Sequence, residues 1–168
     1  RSRNGVVEKF EWQFSDGSNA SGPLVKKDYP RSGSFRETLT VTDADGNTDV
    51  NFVRVQVFSR GEKDEVIAPP RLHATFHPTL GIRAGQPVTF KVRAFGTTHG
   101  EETWDFGDNS PAVMTKSDGN VEQLNPDGYA VIEHTFEEPG DYIVHVQRTD
   151  EHDRLAEDRL FVRVEASP

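Results

Sequence analysis

The 168-residue chain has no cysteine, which excludes disulfide bonds, thiolate metal sites and cysteine nucleophiles. No apolar run approaches the roughly 18 residues that a membrane-spanning helix needs, so we expect no membrane insertion. Positive charge is scarce, because 19 Lys and Arg stand against 28 Asp and Glu, for a formal net charge of −9. A surface of this sign repels phosphate backbones, which argues against nucleic acid as the main partner.

Signatures of catalysis are missing as well. The sequence contains no G-x-S-x-G elbow, no phosphate-binding loop and no dinucleotide fingerprint. Adjacent carboxylates at 101–102 and 137–138 would point to opposite faces of a strand and could not act together. His73 and His77 would lie roughly 13 Å apart on one strand, at about 3.3 Å per residue, which is too far for a shared zinc ion. We therefore predict that the chain is not an enzyme.

Apolar residues that are present alternate with polar ones over 10–14, 88–94 and 142–146. A period of two places one face of a strand in a core and the other in water. Turn dipeptides such as Asp16-Gly17 and Asp45-Gly46 separate the runs, since glycine supplies the positive φ that tight turns need. No stretch shows a convincing helical period, and the chain is predicted to be all-β.

An internal repeat divides the chain. Residues 12–17 (WQFSDG) match residues 104–109 (WDFGDN), and positions 29, 33, 35 and 43 match 136, 140, 142 and 150 with identical spacing. We therefore predict a first module over residues 1–58 and a second over residues 70–168. Residues 59–69 are charged and aperiodic, and Pro69-Pro70 closes them, so this segment is interpreted as a linker with a stiff end.

The motifs of the second copy resemble those of the PKD (polycystic kidney disease) domain family. They are WDFGDN at 104–109, HTF at 134–136, PGDY at 139–142, Thr149-Asp150 and the closing FVRV at 161–164. The first copy resembles the same family more loosely, since Gln13 and Ser15 depart from the pattern and Lys27 stands where His134 stands. The resemblance implies two tandem immunoglobulin-like β-sandwiches, each of about seven strands.

Six residues are assigned structural roles. Trp12, Phe14, Trp104, Phe106 and Tyr142 fall on predicted core faces, and the resemblance implies that His134 is a structural hydrogen-bonding residue near the Trp104 turn. The predicted strands of the second module are 72–79, 87–95, 101–106, 112–116, 129–136, 141–149 and 159–165.

The first module is short at its front. Residues 70–103 precede Trp104 in the second module, whereas only residues 1–11 precede Trp12. Its two opening strands are therefore expected to be missing, which would leave a core face and a strand edge uncovered. Residues lying upstream in a longer protein, or a strand supplied by another copy, could complete it.

Two charged residues interrupt apolar faces. Glu37 lies where Val144 lies in the repeat, and Arg148 lies where Val41 lies. An inward charge is costly unless paired, so we expect either a bulge that rotates each residue outward or a partner for each. For Glu37, the missing strands could also leave the position wet.

Calcium is the metal to consider, and no cofactor is required. Residues 43–49 alternate oxygen ligands like the start of an EF-hand, but Gly46 is misplaced and Arg54 occupies the position of the bidentate Glu, so a hairpin turn is preferred. Some members of the resembled family bind calcium, which makes Asp105 and Asp108 the positions to check. Their alternative role is to accept hydrogen bonds from turn N–H groups.

The resemblance also bears on function. Some family members contact polysaccharide or collagen through exposed aromatic residues, and Phe95 and Tyr129 are the candidates here, Phe95 because it faces away from Phe90 and Val92. The chain starts at Arg1 without Met or a signal segment, so we interpret it as a piece of a larger protein. We expect a non-catalytic spacer or adhesion module of a secreted or cell-surface bacterial protein, with neighbouring domains, a polysaccharide or a fibrous protein as partners. The alternative is an accessory polysaccharide- or collagen-binding module attached to a secreted hydrolase.

Overall fold

The computed structural model describes residues 6–117 and 128–167, and these residues form strands and loops without any helix. None of the described residues therefore forms a helix able to cross a membrane. The strands are β1 Val7–Gln13, β2 Asn19–Ser21, β3 Gly33–Asp43, β4 Thr48–Val57, β5 Ser59–Arg60, β6 Val66–Ile67, β7 Arg71–His77, β8 Ile82–Arg83, β9 Pro87–Phe95, β10 Glu102–Asp105, β11 Val113–Thr115, β12 Ala130–Thr135, β13 Gly140–Thr149 and β14 Leu155–Glu165. The all-β prediction is confirmed.

The second module is a two-layer sandwich. One layer is the three-stranded sheet β12-β9-β7, and the other contains β11-β10-β13-β14, with β8 paired to β14. All of the strands predicted for this module are present, with ends shifted by a few residues. Alternate side chains of β9 and β10 meet between the layers, where the Phe90 ring lies 5.8 Å from that of Trp104 and 5.2 Å from that of Phe106. Tyr142 is only partly buried and packs against this cluster.

The first module has a single layer. Its strands run β2-β1-β3-β4, and Trp12 pairs with Leu39 across β1 and β3. Phe14 is buried, but Trp12, Phe10 and Leu39 are only half-buried, because no second sheet of described residues covers this face. Residues 23–28 correspond to β12 in the repeat and do not form a strand here.

The segment between the modules is more ordered than its composition suggests. Residues 59–67 form a small hairpin, in which Ser59 pairs with Ile67 and Arg60 with Val66. A turn closes it through the Gly61 N–H, which donates to the Glu65 carbonyl at 2.9 Å. The turn brings β5 and β6 together, so the segment predicted to be an aperiodic linker contains two short paired strands.

The two modules share a sheet rather than a hydrophobic interior. The start of β14 pairs in parallel with the start of β3, Leu155 with Gly33 and Ala156 with Ser34, which joins both modules in one nine-stranded sheet. A Cβ atom at Gly33 would lie 2.9 Å from the Leu155 carbonyl oxygen, so the junction requires glycine there. The cluster of buried apolar side chains lies wholly between Leu72 and Val164, within the second module.

Candidate functional site

The outer surface of the three-stranded sheet brings the two predicted binding residues to one side of the molecule. Phe95 ends β9 and points away from the core, and Tyr129 immediately precedes β12, opposite Arg93 in the extended register. We call the outward-facing side chains of this sheet the basic face. It consists of Arg71, His73, Thr75, His77, Thr89, Lys91, Arg93, Phe95, Tyr129, Val131 and Glu133.

Both aromatic rings on the basic face are engaged by neighbouring side chains. The guanidinium carbons of Arg71 and Arg93 lie 5.8 and 5.2 Å from the centre of the Phe95 ring, within the range of cation–π attraction. The Tyr129 hydroxyl lies 3.0 Å from His73 Nδ1. Phe95 and Tyr129 are therefore half-buried supports for basic side chains, rather than free stacking platforms.

The two predicted calcium positions lie in one turn and bond to protein donors. Asp105 Oδ1 accepts from the Gly107 N–H at 2.9 Å, and Asp108 Oδ1 accepts from the Ser110 N–H at 3.0 Å. The described part of the chain contains no cluster of three or more His, Asp or Glu residues that could hold a metal. This arrangement corresponds to the alternative role of both carboxylates, and calcium binding here stays a prediction.

His134 completes this turn. Its ring stacks on Phe106 with centroids 3.8 Å apart, and its Nε2 lies 2.7 Å from Asp108 Oδ2. Partial burial opposes ionisation of Asp108, but hydrogen bonds from Ser110 and His134 outweigh it and hold the pKa of this carboxyl below its ordinary value. The residue links the aromatic core to the turn, consistent with a structural role.

The first module builds the same arrangement with a different base. Lys27, which replaces His134 in the repeat, places its ammonium 4.9 Å from the centre of the Phe14 ring and pairs with Asp16. The hydrogen bond from Lys27 lowers the pKa of Asp16 well below its ordinary value. An aromatic ring, a carboxylate and a base are thus kept together in both copies, although the sequence comparison marked Lys27 as a departure.

The Asp43 segment is a turn, as preferred over the EF-hand. Asp43 Oδ1 accepts from the N–H groups of Asp45 and Asn47, both at 2.9 Å. Asp150 does the same in the second copy, accepting from His152 and Arg154, again at 2.9 Å. The repeated Asp therefore closes the hairpin between the last two strands of each module.

Charged residues that the sequence reasoning did not single out lie at the module junction. Glu157 is 3% exposed, and it accepts hydrogen bonds from the Arg36 N–H and Ser15 Oγ of the first module and contacts His145 Nε2 at 2.9 Å. Burial opposes its ionisation, yet hydrogen bonds led by that from His145 lower the pKa of Glu157. Its carboxylate therefore stays charged between the modules.

Two neighbours of Glu157 extend the contact. Asp158 lies 3.1 Å from Arg36 Nε and accepts from the Ala74 N–H at 3.0 Å, so it touches both modules. Arg159 donates to Thr38 Oγ1 at 2.8 Å. The sequence gives one signal for this junction. Residues 157–159 are three consecutive charged residues, and they precede the mainly apolar residues 160–164 in the same strand.

Glu37 is buried and hydrogen-bonded. It is 1% exposed, accepts from the Ser15 N–H at 2.7 Å and Oγ at 3.0 Å, and accepts from the Tyr29 hydroxyl at 2.9 Å. Burial and this bond to Glu37 raise the pKa of Tyr29 above its ordinary value. The expectation that Glu37 has a partner is confirmed, and the wet alternative is wrong because Ser15 and Tyr29 close over it.

Arg148 also has its partner. It donates to Glu102 Oε1 and to the His99 carbonyl, both at 2.6 Å, and both charged side chains are fully buried. Glu102 Oε1 further accepts from Ser117 Oγ at 2.6 Å. The ion pair lies inside the second module, where it joins β10 and β13.

Acid is expected to weaken the module junction. A group whose folded pKa is lowered adds stability above its ordinary value, 4.5 for Glu157, and that stability is lost as pH falls towards the folded pKa. Glu157→Gln should therefore reduce the loss of stability of the whole chain between pH 5 and about pH 3, measured by urea denaturation. An equally steep loss in the variant and the parent would contradict this assignment.

A groove of about 240 Å³ also runs along the junction, lined mainly by first-module residues such as Asp16, Lys27 and Tyr29, with Asp153 and Leu155 from the second. Two of its charged residues, Lys27 and Asp16, form an ion pair with each other. The described residues bring no nucleophile, base and orienting group together in it, so we assign it no chemistry.

Comparison with known proteins follows the module organisation. The PKD domain family matches residues 1–57 and, separately, residues 73–164. Among solved structures, one similar chain comes from work titled "Structures of Clostridium thermocellum CbhA fibronectin(III)-like modules". It is 16% identical, with a TM-score of 0.41, and the alignment covers 99% of this chain and 82% of that one.

Proposed function

Because the chain belongs to the PKD domain family, we propose that it is a non-catalytic spacer that holds neighbouring domains of a larger protein at a fixed separation and angle. The observation that carries the proposal is the junction. Strand β14 is hydrogen-bonded to β3, and the buried charged residues Glu157, Asp158 and Arg159 of the second module contact Arg36 and Thr38 of the first.

The physical basis of the spacer is the energy needed to bend it. Swinging one module away from the other would break the contacts of Glu157, Asp158 and Arg159 with Ser15, Arg36 and Thr38. Leaving a buried polar group without its hydrogen-bond partner costs about 1–3 kcal/mol, and more when the group is charged. The junction therefore resists bending more strongly than a flexible linker of similar length, whose ends sample many separations.

Family membership supports a position outside the cell or on its surface, and the acidic net charge keeps an exposed array soluble. We place the modules in a secreted or cell-surface bacterial protein, where they mediate contacts between its domains and adhesion to other proteins or carbohydrates. The spacer role does not require calcium at Asp105 and Asp108.

Pulsed electron–electron double resonance tests directly whether the two modules keep a fixed separation. The chain has no native cysteine, so spin labels on Ala44→Cys and Glu137→Cys, two exposed turn positions in different modules, report one distance. We expect a single narrow distribution that broadens when Glu157→Ala is added, because the junction loses its shared carboxylate.

Glu165→Ala is the matched control, since this glutamate lies on the same strand and is exposed. It should leave the distribution unchanged. A broad distribution in the parent chain, at neutral pH and with both modules folded by circular dichroism, would rule out a rigid spacer.

A second candidate function is an accessory binding module attached to a secreted hydrolase, which would recruit polysaccharide or collagen. The observation that favours it is the basic face, where Phe95 and Tyr129 position the side chains of Arg71, Arg93 and His73. Binding to that face and rigid spacing are compatible, since the face lies on the three-stranded sheet and the junction involves β3 and β14.

A further inference from the structure

We propose that the basic face binds an acidic polysaccharide, one whose sugars carry carboxylate or sulfate groups. The proposal goes beyond the spacer function; it rests on the second candidate function and names the class of ligand that the basic face would bind. It rests on three observations: the positive charge of the basic face, the spacing of its basic side chains, and the contacts that these side chains make with Phe95 and Tyr129.

The sign of the charge is opposite to that of the whole chain. The chain carries a net charge of −9, yet the outward-facing side chains of β7, β9 and β12 include Arg71, Lys91 and Arg93 and the single carboxylate of Glu133. Arg71 and Lys91 are exposed and supply the positive charge of the face, whereas Arg93 is 9% exposed and lies beneath them. A local reversal of this kind attracts an anionic partner to this face.

The basic groups form a row. Arg71 is opposite Phe95, His73 is opposite Arg93, and Lys91 follows two residues away along β9. Outward side chains on one strand recur about every 6.8 Å. His77, opposite Thr89, continues the row. A linear polymer with a repeating negative charge can contact several members of such a row at once.

The aromatic rings point to anion binding rather than to stacking on neutral sugar. Phe95 lies between two guanidinium groups, and the Tyr129 hydroxyl is bonded to His73. These contacts restrict Arg71 and His73 before any ligand arrives, which lowers the entropy lost on binding. A neutral chain would have to displace the arginines to reach the Phe95 ring.

A polysaccharide fits this face better than an acidic protein. Stable protein interfaces need a buried apolar centre with aromatic or aliphatic anchors. On the basic face the aromatic rings are already covered, and Val131, 56% exposed, is the large apolar side chain that remains open among the described residues. A charged sugar polymer needs no such anchor.

Binding of the full chain to three polymers tests the proposal by isothermal titration calorimetry at low salt. Hyaluronan offers carboxylates, dextran sulfate offers sulfates, and neutral dextran offers neither. We expect binding to at least one of the charged polymers, weakening steeply as salt is added, and none to neutral dextran. Which charged polymer binds more tightly distinguishes carboxylate from sulfate recognition.

Charge reversal locates the site. Lys91→Glu and Arg71→Glu should each weaken binding roughly tenfold, whereas Lys26→Glu, the same change at an exposed position of the first module, should change it by less than about twofold. Thermal unfolding of each variant confirms that the module is intact. Absence of binding to both charged polymers overturns the proposal, as does an equal effect of Lys26→Glu.

Two further outcomes would overturn the proposal in favour of another ligand. Binding to neutral dextran that Phe95→Ala abolishes would indicate sugar stacking, and tighter binding to single-stranded DNA would indicate nucleic acid. None of these outcomes affects the inter-module distance measurement, so failure here and failure of the spacer function are distinguishable.

Discussion

Arg148→Met is expected to lower the free energy of unfolding of the second module by about 3–5 kcal/mol. The substitution removes the guanidinium and leaves the Glu102 carboxylate fully buried without its charged partner. Methionine occupies a similar length of the site, so the loss reflects charge more than volume. Glu102 would retain only the neutral donors Ser117 and Thr115.

Urea denaturation followed by Trp104 fluorescence measures this loss. Trp12→Phe first removes the other tryptophan, since the chain has 2 Trp, and the Trp104 indole donates to Thr115 Oγ1, itself bonded to Glu102. The reporter is therefore adjacent to the pair. Arg148→Met with Glu102→Leu should recover part of the stability, because no charge remains buried alone.

Arg163→Met is the matched control for Arg148→Met. Arg163 makes a bidentate pair with Asp141, at 2.7 and 2.9 Å, but on the exposed surface. Exposed pairs contribute about 0–1 kcal/mol. If the two substitutions cost the same, the buried pair is not the strong element that its geometry indicates.

The first module alone, residues 1–58, is expected to be unfolded, and residues 70–168 alone to be folded. The first module is one sheet whose apolar face is half-open, with Trp12 and Leu39 only half-buried. Isolated single sheets of this kind do not bury enough apolar surface to offset the entropy of ordering the chain. The fragment also loses the second-module partners of Ser15, Arg36 and Thr38.

Two-dimensional NMR of the two fragments distinguishes the cases. The amide resonances of residues 70–168 should be dispersed, with a cooperative thermal transition, whereas those of residues 1–58 should be collapsed into the random-coil range. Dispersed resonances from the shorter fragment would show that the module is autonomous. Stability of the first module would then owe little to β14.

One face of the sheet in the first module is half-open, and we still expect another segment to cover it. In the second module the matching face is covered by β7 and β9. Residues 23–28, which correspond to β12, pair with no strand among the residues that the structure describes. Completion by residues upstream in a longer protein, or by a strand from another copy, stays a prediction. Protection of Trp12 from fluorescence quenchers, measured at high dilution in an N-terminally extended chain, separates the two alternatives. Protection that persists on dilution indicates completion by upstream residues, and protection that is lost indicates a strand from another copy.

Local sequence pattern was enough for the longer strands, because the formation of such strands depends on alternation and turn chemistry over a few residues. The period of two located β9 and β13, and the Asp-Gly pair at 45–46 located the hairpin between β3 and β4. The duplicated tryptophan motif also indicated that Trp104 and Phe106 face a core, and both are at most 1% exposed. Shorter pairings escaped the pattern, as in the hairpin of β5 and β6.

Sequence reasoning identified Phe95 as facing away from the core but could not give its environment. Arg71 lies far from Phe95 along the chain and meets it only because β7 and β9 pair in register. An aromatic residue that looks available for stacking is thus held between guanidinium groups. Contacts across strands depend on register, which a single sequence does not specify at the level of individual side chains.

The amino-acid sequence by itself determined that this chain is all-β and that it repeats one module. These properties follow from local periodicity and from spacing, which are written along the chain. Only the tertiary structure decided how the copies meet: β14 lies beside β3, and Glu157, Asp158 and Arg159 become buried partners of the first module. A charge on a strand is solvated or buried according to what packs against it, and that neighbour is far away in the sequence.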